Sequence, residues 1–366
     1  MEIKVKELLD AVKKAGQVVK SKSTIPIIEN VLIYTKGDRI FVRGTDLENT
    51  ISCNFDYSEE WPTVAVEPKK LGSMLASIKT EMILVEFVEG LMTIKSGKTK
   101  FNLPTMDGAD FPAVDDVNDI KTLGVIEREH IGAMDTAAGY VGTDELRPVM
   151  MSVALFSDKS LGRLNVVATD AHKLVEYKMH FAVEEESEKP LLVPGVSIKL
   201  LKKTFNKEIT VRYNKKNVFF SEEGVSMFVR QVDGKFPNYE AVIPKDNPVS
   251  MTFDKDELME ALSTVGITLN MANTIKLDIG RMDALISAED LDFNYGSVVP
   301  LGVLYEGQED HFVMGLNHRF LTKIIKDIDA NEIKVEGSTP TRAMVIHNST
   351  DKYDLTSLIM PVMLTN

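Results

Sequence analysis

One short phrase, written twice, constrains this chain more than anything else in it. GTDLENTI begins at Gly44 and ATDAHKLV at Ala168, so Thr45-Asp46 and Thr169-Asp170 stand 124 positions apart; AEDLDFNY sets a weaker relative, Asp290, another 120 positions on. Each phrase closes an alternating apolar segment entered through a turn: GDRIFVRGTDLE, DKSLGRLNVVATDAH and GRMDALISAEDLD. Alternation punctuated by Gly or Asp reads as a β-hairpin, so three hairpins are expected at equivalent places.

Other landmarks keep the same step. MDGADFPAV (106–114) and VDGKFPNYEAV (232–242) both carry Asp-Gly followed by Phe-Pro, with Phe111 and Phe236 separated by 125. Apolar spacing near 3.6 predicts helices over 4–19, 127–142 and 254–270, and a second set after each hairpin over 67–80, 193–207 and 315–326. The unit is helix, strands, helix, strands. Chance could place one such pair in step, but not four features together. With 366 residues each copy has an ordinary domain size. Three α+β domains are expected, 1–120, 121–245 and 246–366, with boundaries in the Asp- and Pro-bearing segments near 107–122 and 233–249.

Apolar residues make up 44% of the chain and charged residues 27%, as expected of a folded soluble protein. No apolar run approaches the roughly 18 to 20 residues that span a bilayer, and the opening MEIKVKELLDAVKK lacks the apolar core of a secretory signal, so the cytoplasm is expected and a membrane is not. The one cysteine, Cys53 in the strand-like ISCNF, excludes an intramolecular disulfide and a cysteine-rich metal cage; it reads as a small core residue.

Catalytic motifs dissolve on inspection. SGKT at 96–99 looks like the tail of a phosphate-cradling loop, but such a loop needs glycine where Met92 stands, and KTKFNLP after it alternates like a strand. Lys98 is expected at a hairpin tip. The six histidines (His130, His172, His180, His311, His318, His347) lack ligand-like neighbours. Asp170 and His172 would share one face of a strand and suit an acid–base couple. Yet the aspartate recurs in the first repeat, where Leu47 and Glu48 follow. Asp46, Asp170 and Asp290 are therefore expected to accept backbone N–H groups where strand meets turn. His172, Lys173 and Leu174 make the second copy different and point to a site peculiar to it. No catalytic residue, metal or cofactor is expected.

Net charge is −13, which by itself argues against a polyanionic partner. Four of the six helical segments are nevertheless net positive. Their cations, Lys13, Lys14, Lys20, Lys69, Lys70, Lys199, Lys202, Lys203, Arg319 and Lys323, are candidates to face DNA. Solvated helix faces are the simpler explanation for any one helix; a bias shared by four favours a surface that holds duplex DNA without reading its bases.

Together GTDLE, ATDAHKL, VDGKFPNY and the C-terminal LIMPVML resemble the bacterial sliding clamp family, the β subunit of DNA polymerase III, over essentially the whole chain. The resemblance implies a non-enzymatic processivity factor of DNA-clamp fold: three repeated α+β domains, helices lining the inner face, antiparallel sheets outside, and a head-to-tail homodimer closed as a ring around double-stranded DNA. It implies DNA contact by Lys22. A dimer seam is implied at Phe101 and Leu103 of KTKFNLP, with Ile267 and Leu269 opposite; core packing is the rival explanation for the latter two. A groove between domains two and three is implied for short peptides of the clamp loader, the replicative polymerase and repair proteins. Its matching positions are Met150, Thr169, Ala171, His172, Lys173, Leu174, Pro237, Val242, Leu358, Met360, Pro361, Val362 and Met363. Ala171 and Lys173 stand where Gly and Arg are common in the family, Met151-Ser152 where Asn-Gly is usual, and Thr365-Asn366 extend past the usual end. Two rival functions remain at this point: an enzyme built on Asp170 and His172, and a repeat scaffold that binds proteins only.

Overall fold

A computed structural model of the protein describes residues 1–113, 118–281, 283–307 and 309–364. The sequence-predicted boundary segment 107–122 lies partly outside these residues, and the Thr365-Asn366 extension lies wholly outside them. Among the described residues there are six α-helices: α1 (Val5–Ala15), α2 (Pro68–Ser77), α3 (Arg128–Ala137), α4 (Gly195–Thr204), α5 (Lys255–Val265) and α6 (His318–Asp327). All six fall within the segments chosen by periodicity or run one residue past them, and all are shorter. The reasons are local. Gly16 and Gly266 cap α1 and α5, and residues 315–317 belong to the strand Phe312–Asn317, whose last side chain caps α6 by accepting from the amides of Arg319 and Phe320. Helices this short hold only by packing. In α1 that packing is the stripe Val5, Leu8, Ala11, Val12 and Ala15, all buried.

The chain forms two compact units, residues 1–135 with 181–233, and 136–180 with 234–366. Neither coincides with a sequence repeat, because the second repeat is divided between them.

In the first unit, one antiparallel sheet runs Glu2–Lys4, Met82–Val88, Leu91–Ser96, Thr99–Pro104. The SGKT segment is the tip of its last hairpin: Gly97 and Lys98 form the turn, with Gly97 at φ +57°. The larger sheet runs Lys121–Ile126, Ile209–Tyr213, Asn217–Glu222, Val225–Arg230, Asn49–Asp56, Arg39–Thr45, Val31–Lys36, Val64–Val66, Met106–Asp107. At its centre the first repeat meets the second, Val225 opposite Cys53 and Val229 opposite Asn49. Cys53 is buried there, as expected.

The second unit repeats the plan. A sheet runs Ser152–Asp158, Arg163–Thr169, Lys173–His180, Tyr353–Ile359, Met344–Ser349, Glu332–Gly337, Val249–Asp254, Leu304–Glu306. Here the second repeat meets the third, Lys173 opposite Ile359 and Met179 opposite Tyr353. A four-stranded sheet runs Tyr295–Leu301, Ala284–Asp290, Thr274–Ile279, Phe312–Asn317. No helix among the described residues is long and apolar enough to cross a membrane.

Candidate peptide groove, cationic helices and free strand edges

The repeated aspartates do what their recurrence predicts. Asp46 Oδ1 accepts from the amides of Glu48 (3.2 Å) and Asn49 (2.7 Å), Asp170 Oδ1 from His172 (2.9 Å) and Lys173 (2.8 Å), and Asp290 Oδ1 from Asp292 (3.1 Å) and Phe293 (3.3 Å). In the first two copies the threonine hydroxyl completes the turn, donating to the carbonyls of Asn49 (3.0 Å) and Lys173 (2.8 Å) and accepting from the amides of Leu47 and Ala171 (both 3.1 Å). The same geometry forces Leu47 and Ala171 to φ +76° and +75°, a region that favours glycine. Asp170 is thus spent on backbone amides and on the ammonium of Lys173, with which its Oδ2 pairs.

The second copy carries further contacts. Met360 donates its amide to the carbonyl of His172 (2.8 Å), and Val362 donates to Gly315 (2.9 Å), so the C-terminal segment crosses from the turn to the edge strand Phe312–Asn317. A Cβ at Gly315 would lie 2.5 Å from the Val362 carbonyl oxygen, which explains the glycine. Pro237 and Val242 are exposed on the segment after buried Phe236. That segment is anchored by Phe236 and Tyr239 against Phe156, and by the Tyr239 hydroxyl donating to Glu176 Oε1 at 2.8 Å. Burial first, then the Glu176 charge, pushes the Tyr239 phenol up and keeps it a donor. Met150 is half-buried, and its carbonyl accepts from Gly142 (2.7 Å).

Of the thirteen sequence-predicted groove positions, Ala171, His172, Pro237, Val242, Met360 and Met363 are exposed, and Met150, Pro361 and Val362 are half-buried. Thr169, Lys173, Leu174 and Leu358 are buried, so they shape the wall without presenting side chains to a ligand. Sequence reasoning missed two residues behind that wall. Phe320, on α6, stacks on His172 with ring centres 6.2 Å apart, and Tyr140 lies under Lys173. Both fall in segments read from sequence only for their helical period, 127–142 and 315–326. A water-sized cavity of about 30 Å³ lies elsewhere in this unit, lined by Arg163, Lys178, His180, Thr350, Tyr353 and Asp354, and it is too small for a peptide side chain of any size.

The helix cations divide by environment. Lys14 is tied to Glu222 (3.3 Å), Lys20 to Asp46 (3.2 Å), Lys202 to Asp135 (3.5 Å) and Lys323 to Asp327 (2.5 Å), while Lys69 donates to the Ser21 hydroxyl. Lys13, Lys22, Lys70, Lys199, Lys203 and Arg319 are exposed and form no ion pair among the described residues. Within the first unit, Gln17 donates to the Lys203 carbonyl (3.2 Å) and Lys69 reaches Ser21. These two contacts gather the ends of α1 and α4 and the start of α2, so their lysines share one neighbourhood.

Thr99–Pro104 in the first unit and Tyr295–Leu301 in the second are end strands of their four-stranded sheets, opposite Glu2–Lys4 and Phe312–Asn317, and among the described residues no strand pairs with their outer edges. Phe101 is half-buried and Leu103 only 4% exposed, both on the inward face of their sheet. Ile267 is 83% exposed, which removes core packing as its explanation; Leu269 is half-buried. The strand Tyr295–Leu301, with Val298 exposed and Phe293 stacked on Tyr295 before it, was not singled out from sequence because its alternation ends in Pro300.

Three family models match in order: the DNA polymerase III β subunit N-terminal domain over 1–115, the central domain over 128–238 and the C-terminal domain over 240–363. The β sliding clamp of Bacillus subtilis is 24% identical, with 97% of each chain covered. The crystal structure of the Pseudomonas aeruginosa DNA polymerase III β subunit superposes with a TM-score of 0.91 at 22% identity over 99% of each chain. A second structure from that organism, a sliding clamp bound to griselimycin, gives 0.89 at 22% identity over 100% of this chain and 99% of that one. Three repeats of this fold in this order define a sliding clamp, a processivity factor of DNA replication. The chain belongs to the DNA polymerase III β subunit family. A scaffold for proteins alone is not favoured.

Proposed function

We propose that two copies of this chain close head to tail into a ring around duplex DNA, and that the turn at 169–174 with the C-terminal segment forms its peptide groove. One observation carries ring closure. The strand after the first Thr-Asp turn pairs with the last strand of repeat two, and the strand after the second pairs with the last strand of repeat three. The equivalent pair would join Tyr295–Leu301 of repeat three to Thr99–Pro104 of repeat one, and each is an end strand whose outer edge pairs with no strand among the described residues. Free edges invite pairing, and a heterologous contact between copies closes into a ring when its rotation permits.

The two internal junctions also supply a register. Asn49 faces Val229 and Lys173 faces Ile359, so Tyr295 should face Leu103 of a second copy and Gly296 should face Asn102. Phe101 and Leu103 then share a face with half-buried Ser297 and Val299, whereas a slip of one residue would turn them to solvent.

Inside the ring the cations on α1, α2, α4 and α6 hold phosphate weakly. The grip comes from enclosure, so sliding costs little. Partners are the replicative polymerase, the clamp loader and repair proteins, held by short peptides against Met150, His172, Pro237, Val242, Met360 and Met363. The protein acts in the cytoplasm without catalysis: Asp170 is fully engaged by amides and Lys173, and ATP belongs to the loader. The three domains are taken as 1–120, 121–245 and 246–366.

The test couples closure to function. A chain carrying Asn102→Cys and Gly296→Cys, oxidised after loading on nicked circular DNA, should stay bound through high salt and leave when the circle is linearised. Retention on linear DNA, or no covalent dimer under any condition, would refute closure. Griselimycin should bind the wild-type chain and lose affinity on Met360→Asp.

A further inference from the structure

Behind the groove turn, two lysines share one aromatic ring. Lys173 is only 6% exposed, and its ammonium, paired with Asp170, lies 4.8 Å from the ring centre of Phe320 and 5.6 Å from that of Tyr140. Tyr140 is wholly buried and donates its hydroxyl to Asp327 Oδ2 at 2.8 Å. The same oxygen accepts from Lys323 Nζ at 2.5 Å, and that nitrogen lies 4.9 Å from the centre of the Tyr140 ring. Burial, and then the Asp327 charge, holds the Tyr140 phenol far above its ordinary range, so it remains a donor.

The two cations differ in freedom. Lys173 is enclosed and cannot leave, whereas the Lys323 side chain is about a third exposed on α6. Each is attracted to the Tyr140 ring, and, gathered at the same ring, the two like charges repel one another. Asp170 offsets one cation and Asp327 the other. Phe320, on the same helix as Lys323, closes the cage and stacks on His172. One rigid helix of ten residues therefore carries both a cation open to a polyanion and an aromatic wall of the groove turn.

We propose that Lys173 is a positioning residue of the groove, and that the groove and the DNA-facing side of α6 are thermodynamically linked through Lys173, Tyr140, Asp327 and Lys323. A phosphate that draws Lys323 off Asp327 removes one of two like charges from the Tyr140 ring, and Lys173 settles more firmly against Tyr140 and Phe320. The turn that carries Ala171 and His172 is then held in its ligand-ready geometry. Duplex DNA on α6 raises affinity at the groove, and by reciprocity a groove ligand raises affinity for DNA by the same factor. This linkage rests on the proposed assignments of groove and DNA face. Screening at Lys323, whose side chain is about a third exposed, limits the effect to about threefold at low salt, fading as salt rises.

The test uses the full chain, labelled griselimycin read by fluorescence anisotropy, and a 24-base-pair duplex at low salt. In the wild type, the duplex should tighten griselimycin about threefold, and griselimycin should tighten the duplex equally. Lys323→Met should tighten griselimycin without DNA and abolish the response to it; Lys323→Arg should retain the response. Lys173→Met should weaken griselimycin, and Lys173→Arg should restore it. Wild-type binding of both ligands with no mutual shift, or a Lys323→Met chain that binds griselimycin more weakly, overturns the linkage while leaving clamp function intact. No griselimycin binding in any chain overturns the groove assignment, and the linkage with it.

Discussion

Replacing the three repeated aspartates one at a time by alanine should produce a graded loss of stability, because the same turn is supported differently in each copy. Asp290→Ala removes acceptors from two amides at 3.1 and 3.3 Å on an exposed turn, worth about 1 kcal/mol in all. Asp46→Ala removes two amide bonds, a side-chain bond from Asn49 and the Lys20 ion pair. Lys20 is mostly exposed, so its pair adds little and the total is about 2 kcal/mol. Asp170→Ala removes two amide bonds below 3 Å and also strands the enclosed ammonium of Lys173. Removing one partner of a buried pair costs about 3–5 kcal/mol. Urea unfolding followed by far-UV circular dichroism gives the ordering, and the double variant Asp170→Ala with Lys173→Met should recover at least half of the Asp170→Ala loss. Equal losses at Asp170 and Asp290, which lie in the same compact unit, would refute the claim that Lys173 separates the copies.

Other outcomes are equally specific. Ala171→Gly should stabilise the chain by about 0.5–1 kcal/mol by relieving φ +75°, and Ala171→Val should destabilise it, both read from the same urea curves. Val298→Asp on the free edge should leave a monomer of 40.8 kDa by light scattering where the wild type gives twice that mass. Gly315→Val, whose Cβ would lie 2.5 Å from the Val362 carbonyl oxygen, should displace the C-terminal segment and weaken griselimycin at least tenfold with little change in global stability. Burial pushes the Cys53 thiol from 9.0 up to about 12, so folding favours the neutral thiol. That contribution is present below pH 9 and lost as pH rises toward 12, and native Cys53 should resist thiol reagents that label the unfolded chain.

The hairpins and helices were legible because their periods, two and 3.6, are imposed by which face is buried, and burial acts on every residue of an element. What periodicity could not show was where elements stop. TVGITLN continues the apolar spacing of α5, yet Gly266 ends the helix and leaves Ile267 in solvent. The first residues of 315–326 looked helical, but Gly315 and Asn317 serve a strand and a cap. The repeats themselves were legible while the compact units were not. Edge strands of neighbouring repeats pair as fully as strands within one, so the second repeat is shared between units, and pairing between distant segments leaves no mark on local spacing.

The same distinction explains what was visible of the groove. Asp46, Asp170 and Asp290 repeat because a turn of one geometry needs one acceptor at one place, and repetition alone identified that role. Comparing copies then isolated His172, Lys173 and Leu174 as the departures, but it treated them as one set facing a ligand. The structure separates them: His172 is exposed, whereas Lys173 and Leu174 are buried. Lysine at 173 looks like a charge for a partner because lysines are rarely buried. It is enclosed here because Tyr140 and Phe320, from two distant parts of the chain, close around it beside Asp170 of its own turn. A contact made by three segments has no spacing to read, so it is the three-dimensional cage, not the motif, that makes Lys173 a support for the groove instead of a residue on its surface.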